Sequence, residues 1–390
     1  MLLLLLPLSV FGQTWEQITD FSGAERDDGV CFSIGGKAYC GTGMDLGFTV
    51  TSDFYAFDFS TEAWSPIASM PDSSRRQYAT SFVHNGDGYV FGGINSSGDY
   101  LNDLWKYSPT SDSWTNLFGL PELGRSGASC FVIEDTVYIV GGKTDLTPAS
   151  SEVWAYVIPS NGWTQKTNLP STGIWRGVGF EHIGKGYVGL GLDNGLQENS
   201  AFYRYHSDSD TWELVPELIT APRAYVAMAK IDDKVFMYGG ANGGTYSNSF
   251  ERINMNTLTI DNLTTFPSAA RRGASGFASA TDFFIVNGVT LTERLNETWV
   301  VREVLALDGQ EPLNSSITYV QVGNQLAFDI GTEAIVDDFL VCTAFGTPIQ
   351  TCSVLNGKPI IDITSLSAGI YYYEIRVGSN SLRGKVPVVH

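Results

Sequence analysis

The chain has 390 residues, of which 43% are hydrophobic, 13% aromatic and 17% charged, with 42 glycines. That is material for two or three domains, and it suits many short strands joined by tight turns. A formal net charge of −19 argues against nucleic acid or an anionic membrane as the main partner, because both need a basic surface.

Residues 1–12, "MLLLLLPLSVFG", read as a secretory signal peptide. The apolar run Leu2 to Val10 is far shorter than the roughly 20 residues of a membrane span. Val10 and Gly12 are small enough for cleavage after Gly12, although a basic n-region is missing. The alternative is a buried N-terminal strand. No cysteine follows the run, which argues against a lipid anchor, and no other segment is apolar enough to span a bilayer. A soluble, exported monomer is expected, secreted or held at the cell surface.

Export permits disulfides. If Gly35-Gly36 is a two-residue hairpin turn, Cys31 and Cys40 face each other directly and are expected to bridge. Cys130 stands one repeat later opposite Ile139, and reads as a buried thiol.

From residue 13 the sequence repeats. "GYVFGG" ends at Gly92-Gly93, and the glycine pair returns at Gly141-Gly142 and Gly239-Gly240. Degraded copies stand at Thr42-Gly43, Leu190-Gly191 and Asn287-Gly288, giving steps of 48 to 50 residues. Trp15, Trp64, Trp114, Trp163 and Trp212 follow the same period, as do Tyr55, Trp105, Trp154, Tyr203, Glu251 and Trp299. Each unit contains four short strand patterns, which describes one propeller blade better than a helical solenoid repeat. "TWEQIT" around Trp15 is a fourth strand without a blade. It is expected to pair beside "ETWVVRE" and close blade six, removing the open edge.

A strand ending in Gly-Gly, an aromatic about a dozen residues later and a Trp in the next strand resemble the kelch repeat. The resemblance implies an all-β, six-bladed propeller over residues 13–302. Blade six departs most, with Asn287 for a glycine and no Trp strand after Trp299. Blade five has Asp261 near the place of its Trp.

After Arg302 the period stops. Residues 303–316 read as a linker and 317–390 as a small β-sandwich with strands "ITYVQV", "QLAFDI", "DDFLVC", "PIIDI" and "IYYYEIRV". The stretch Asp362-Ile363-Thr364-Ser365-Leu366, then Ala368-Gly369-Ile370-Tyr371, resembles the type A sorting domain of the type IX secretion system of Bacteroidetes. That resemblance implies delivery by secretion machinery. Thr343-Ala344-Phe345-Gly346 departs from the family's hairpin. Cys342 and Cys352 lie across this expected hairpin, where a bridge is one of two outcomes. The other reading of the module is an adhesive domain that stays on the protein.

Four histidines are too few and scattered for much metal or nucleophile chemistry. His84 and His182 recur at equivalent positions and read as structural. His206, Asp208 and Asp210 lie in a turn that lacks the glycine and glutamate of an EF-hand. No nucleophile elbow, zinc spacing or phosphate loop is present. A copper-radical oxidase resembling galactose oxidase needs a histidine pair and a Tyr-Cys link that cannot be placed. No catalytic residue, metal or cofactor is assigned.

One set of charges does repeat. Arg26, Arg76, Arg125, Arg223 and Arg271 each precede the repeat glycine by 16 residues, while blade four has Ile174 there and Arg176 two later. These six arginines are expected to ring one mouth of the central channel. They either tie loops to neighbouring carbonyls and carboxylates or bind ligand carboxylates. Two functions follow. The favoured one is an exported module that binds a protein or glycan. The other is an enzyme resembling the six-bladed kelch sialic-acid mutarotases, for which Glu25, Asp27 and Asp28 are the nearby acid–base candidates.

Overall fold

The computed structural model describes residues 14–302, 304, 318–322, 325–329, 338–343, 349, 352–355, 358–367, 369–377 and 380–388. The expected signal peptide and most of the expected linker lie outside these residues. The chain divides into two compact units, Met1–Leu305 and Ala306–His390.

Unit one is a six-bladed propeller of four-stranded antiparallel sheets. Blade two, for example, is built from Thr80–His84, Asp87–Phe91, Leu104–Ser108 and Ser113–Leu117, ordered from axis to rim. Blade six takes its outermost strand from the N-terminus: Trp15–Gln17 pairs with Thr298–Val301, in the register Trp15 to Val301. The expected closure is therefore present. Packing extends past Arg302, since Val304 is fully buried in the core shared by blades five and six.

The glycine pairs answer to backbone geometry. Gly92 and Gly93 have φ of 62° and 104°, in the left-handed region that glycine tolerates. A Cβ on Gly92 would lie 2.5 Å from the Arg125 carbonyl of the next blade. The second residue of each pair donates its N–H to that next blade, as Gly93 does to the Arg125 oxygen at 2.9 Å. Thr42, Leu190 and Asn287 keep the left-handed conformation where the first glycine is lost.

Apolar side chains meet between blades, and each blade-to-blade interface holds its own buried cluster. Rim latches add direction to this packing. Trp114 Nε1 donates to the Ala68 carbonyl and Asp112 accepts from the Ala68 N–H, both at blade one's edge. Trp163 with Asn161 treats Phe118 alike, and Trp212 with Asp210 treats Thr167 alike. Asp210 also accepts from the Tyr205 hydroxyl, so its place in the sequence is that of a latch. The Cys31–Cys40 bridge forms in the expected register, with Cα atoms 4.2 Å apart.

Unit two has a four-stranded sheet, in spatial order Thr318–Val322, Gln325–Asp329, Lys358–Asp362, Cys352–Leu355. A three-stranded sheet, Asp338–Thr343, Gly369–Val377 and Asn380–Val388, shares its core: Leu326, Phe328 and Ile361 pack with Phe339, Val341 and Tyr371. Cys342 pairs beside Tyr372 in the smaller sheet and Cys352 beside Ile361 in the larger one. The expected hairpin between them is thus not formed, because each strand found its partner elsewhere. Their side chains lie outside those described.

Candidate functional site

Five of the six arginines expected at the mouth are withdrawn from it. Arg26, Arg76, Arg125, Arg223 and Arg271 are between 0 and 2% exposed. Each meets a carboxylate of its own blade: Asp53, Asp103, Glu152, Glu251 and Glu297. Arg76 is typical, with Nη1 and Nη2 each 2.7 Å from an Asp103 oxygen and Nη1 2.9 Å from the Gly92 carbonyl. Arg26 and Arg223 likewise meet both oxygens of their carboxylate, whereas Arg125 and Arg271 each meet one carboxylate oxygen and one backbone carbonyl. Burial alone raises the Asp53 carboxyl, but hydrogen bonds and charge from Arg26 outweigh it and hold the group below its usual range. Glu152 is lowered by Arg125 against the same opposition. These five arginines tie carboxylates and carbonyls together, the first of the two roles expected of them, and do not turn their charges to solvent as a ligand-binding mouth would require.

Arg176 behaves differently. It stands in a second column, two residues after the arginine position: Asp28, Tyr78, Gly127, Arg176, Tyr225 and Gly273. All six have φ between 56° and 63°. Each donates its N–H to the carbonyl of the preceding member, closing a ring of backbone hydrogen bonds from 2.6 to 3.3 Å around the axis. Glycine accepts this conformation freely, whereas each larger side chain costs on the order of 1 kcal/mol. Four of the six ring positions nonetheless carry side chains, and these meet in one cluster.

Asp28 and Arg176 occupy opposite ring positions and their side chains meet as an ion pair. The Arg176 guanidinium lies between the Tyr78 and Tyr225 rings, 4.4 and 4.5 Å from their centroids. Burial pushes the Tyr78 phenol up to about 12 and Arg176 down to about 10, so at neutral pH the first stays protonated and the second charged. Asp28 and Arg176 line an open pocket of about 230 Å³ between the inner strands, together with small groups such as Ser81, Ser129, Cys130 and Ser275.

On the solvent side two more arginines join. Arg272 Nη1 lies 3.4 Å from Asp28 Oδ2, and its Nε donates to the Tyr246 hydroxyl at 2.9 Å. Arg294 Nε donates to Asp27 Oδ1 at 2.6 Å and stacks 4.7 Å from the Phe48 ring. Lys143 sits 5.3 Å over Trp175. Three guanidiniums thus face two carboxylates. The Asp27 and Asp28 side chains are only 2% and 1% exposed, while that of Arg272 is 24% exposed. The loop tips on this face carry exposed Leu46, Phe48, Leu146, Leu196 and Leu291.

This arrangement offers donors and flat apolar faces to an incoming anion. Its two carboxylates are already engaged by arginines, Asp28 by Arg176 and Arg272 and Asp27 by Arg294. The structure brings Asp27, Asp28 and Arg176 together from the residues considered in the sequence, and leaves Glu25 out of the cluster. Arg272, Arg294, Tyr78, Tyr225, Tyr246 and Trp175 were not foreseen. The ring column was countable at the same period; Arg272 and Arg294 recur in no other blade. Among the described residues no group of three or more His, Cys, Asp or Glu is gathered as a metal ion would need.

Residues 12–177 match the KLHDC2/KLHL20/DRC7 Kelch-repeats domain family. A 73-residue stretch is 37% identical to N-acetylneuraminate epimerase of Shigella sonnei (strain Ss046) and 36% identical to that of Escherichia coli (strain K12). The matched stretch is 18% of this chain and spans about a fifth of those relatives, 20% of their length. The solved structure titled "Structure of YjhT" superposes with a TM-score of 0.60 at 18% identity, over 73% of this chain and 96% of that one.

Proposed function

With a kelch-repeat, six-bladed propeller as the premise, we propose that this protein is a binding module whose loop face takes up a protein or glycan through a carboxylate. One observation carries the reading: three guanidiniums converge beside aromatic faces at the channel end, with only two carboxylates to balance them. The exposed leucines and Phe48 around that centre support an extended contact area. A glycan and peptide array probed with the full chain tests this. Hits should carry an accessible carboxylate and be lost when that group is esterified; hits indifferent to esterification would contradict it.

A second reading is an enzyme acting on an acidic sugar, favoured by the likeness to N-acetylneuraminate epimerases and by Asp27 and Asp28 among the arginines. NMR exchange between N-acetylneuraminate anomers decides that reading. A rate equal to buffer alone removes it.

The residues from 317 onward lie outside the repeat period, and their resemblance to a sorting domain supports delivery to the surface or medium by a secretion machinery. Removing residues 311–390 should leave a folded propeller retained inside the cell envelope. Normal surface delivery of the truncated chain would refute this.

A further inference from the structure

We infer that the Asp28 carboxylate is the resident occupant of this anion site, and that a ligand carboxylate binds by taking its place between Arg176 and Arg272. The inference rests on the binding reading above and names how that site is regulated.

The Asp28–Arg176 pair is unlike the five buried pairs. Those join residues 26 to 28 apart within one blade, whereas Arg176 and Asp28 are 148 residues apart and reach across the ring. The ring does not require the pair. Gly127 and Gly273 make the same backbone bonds with no side chain at all. The neighbours instead make room for it. A Cβ on Gly273 would fall 2.7 Å from Asp28 Oδ1, and one on Gly127 would fall 2.6 Å from Arg176 Cδ.

The donors around Asp28 are fixed and unsaturated. Its two oxygens go to different arginines, Oδ1 to Arg176 and Oδ2 to Arg272, so neither guanidinium receives the two-pronged acceptor that Arg76 has. Arg176 Nε is buried without a hydrogen-bond partner, a feature it shares with Arg125, Arg223 and Arg271. The Arg176 guanidinium is clamped between two tyrosine rings, leaving its edge for an anion. A ligand carboxylate that takes the place of Asp28 meets a guanidinium already held in position, and needs only to displace an intramolecular competitor. Simple anions lose that contest. A ligand that adds contacts with Tyr246 and Phe48 wins it, so Asp28 sets a threshold for selectivity.

The test compares the full chain with Asp28→Asn and Asp28→Gly. Asparagine tolerates the left-handed conformation, and glycine already fills this ring position in blades three and six, so the backbone is preserved. Acetate and N-acetylneuraminate serve as probes, with melting temperature recorded for each variant. Both variants should bind N-acetylneuraminate about tenfold more tightly than the natural chain, and acquire measurable acetate binding. Equal or weaker binding by both folded variants, while the natural chain still binds, overturns the exchange and leaves the binding reading standing. No binding of either probe by any form defeats the exchange, and array hits indifferent to esterification would defeat the binding reading separately.

Discussion

Arg76→Ala should lower stability by about 3–5 kcal/mol, because it removes the donor of the Gly92 carbonyl and leaves Asp103 only Trp105 Nε1. For a domain of this size that is a fall on the order of 10 °C in Tm. Arg76→Lys should fall between, keeping charge but losing the fork. Ligand affinity of the folded fraction should not change, since Arg76 is fully buried. An unchanged Tm would contradict the structural role. The same pairs make the propeller sensitive to acid. Asp53 and Glu152 are held below their ordinary carboxylate range, so their contribution is present above about pH 4–5. It is lost as pH falls through the lowered folded values.

Deleting residues 14–20 should have the larger effect. Trp15 lies edge-on to Tyr238, Phe250, Phe266 and Phe283, with centroids 5.0 to 6.2 Å away, and donates Nε1 to the Thr264 carbonyl. Trp15→Ala alone should cost about 3–5 kcal/mol. Removing the whole strand also bares the edge of Thr298–Val301, which then invites intermolecular pairing. The truncated protein should melt far lower and elute as aggregates in size-exclusion chromatography. A monomer of unchanged Tm would mean that ring closure lies elsewhere.

The architecture was legible because every copy solves the same packing problem. A strand near the axis needs left-handed glycines where it hands its backbone to the next blade, and a rim Trp needs a carbonyl to latch. Those demands recur every 49 or so residues and write themselves into the sequence. The arginine ring was legible too, but its partners were the deciding clue. A carboxylate follows each arginine by 26 to 28 residues, at Asp53, Asp103, Glu152, Glu251 and Glu297. Blade four has Ile174 for arginine and Ala201 at the matching acid position. Arginine and acid disappear together, which marks a pair internal to the blade. Blade five shifts its acid by two residues, and Ser249 in the vacated place still accepts from Arg223 at 2.9 Å.

The candidate site was less legible for the opposite reason. A binding centre on a pseudo-symmetric ring must break the symmetry, so its residues vanish from any count of repeats. Arg272 aligns with Asp27, Gln77, Ser126, Trp175 and Ala224, five different side chains. The neighbouring ring column keeps the period but not the residue type, and its members share a left-handed backbone.

In the proposed function Arg272 and its neighbours recognise a carboxylate, while the five buried arginines hold the blades. This division of roles is tested most directly by measuring, with an array-selected carboxylate ligand, the Kd and Tm of Arg272→Ala beside those of Arg76→Ala. Arg272→Ala should bind at least about tenfold more weakly at an unchanged Tm, and Arg76→Ala should show the reverse pattern. Undiminished affinity in Arg272→Ala, or affinity lost in folded Arg76→Ala at an unchanged Tm, would contradict it.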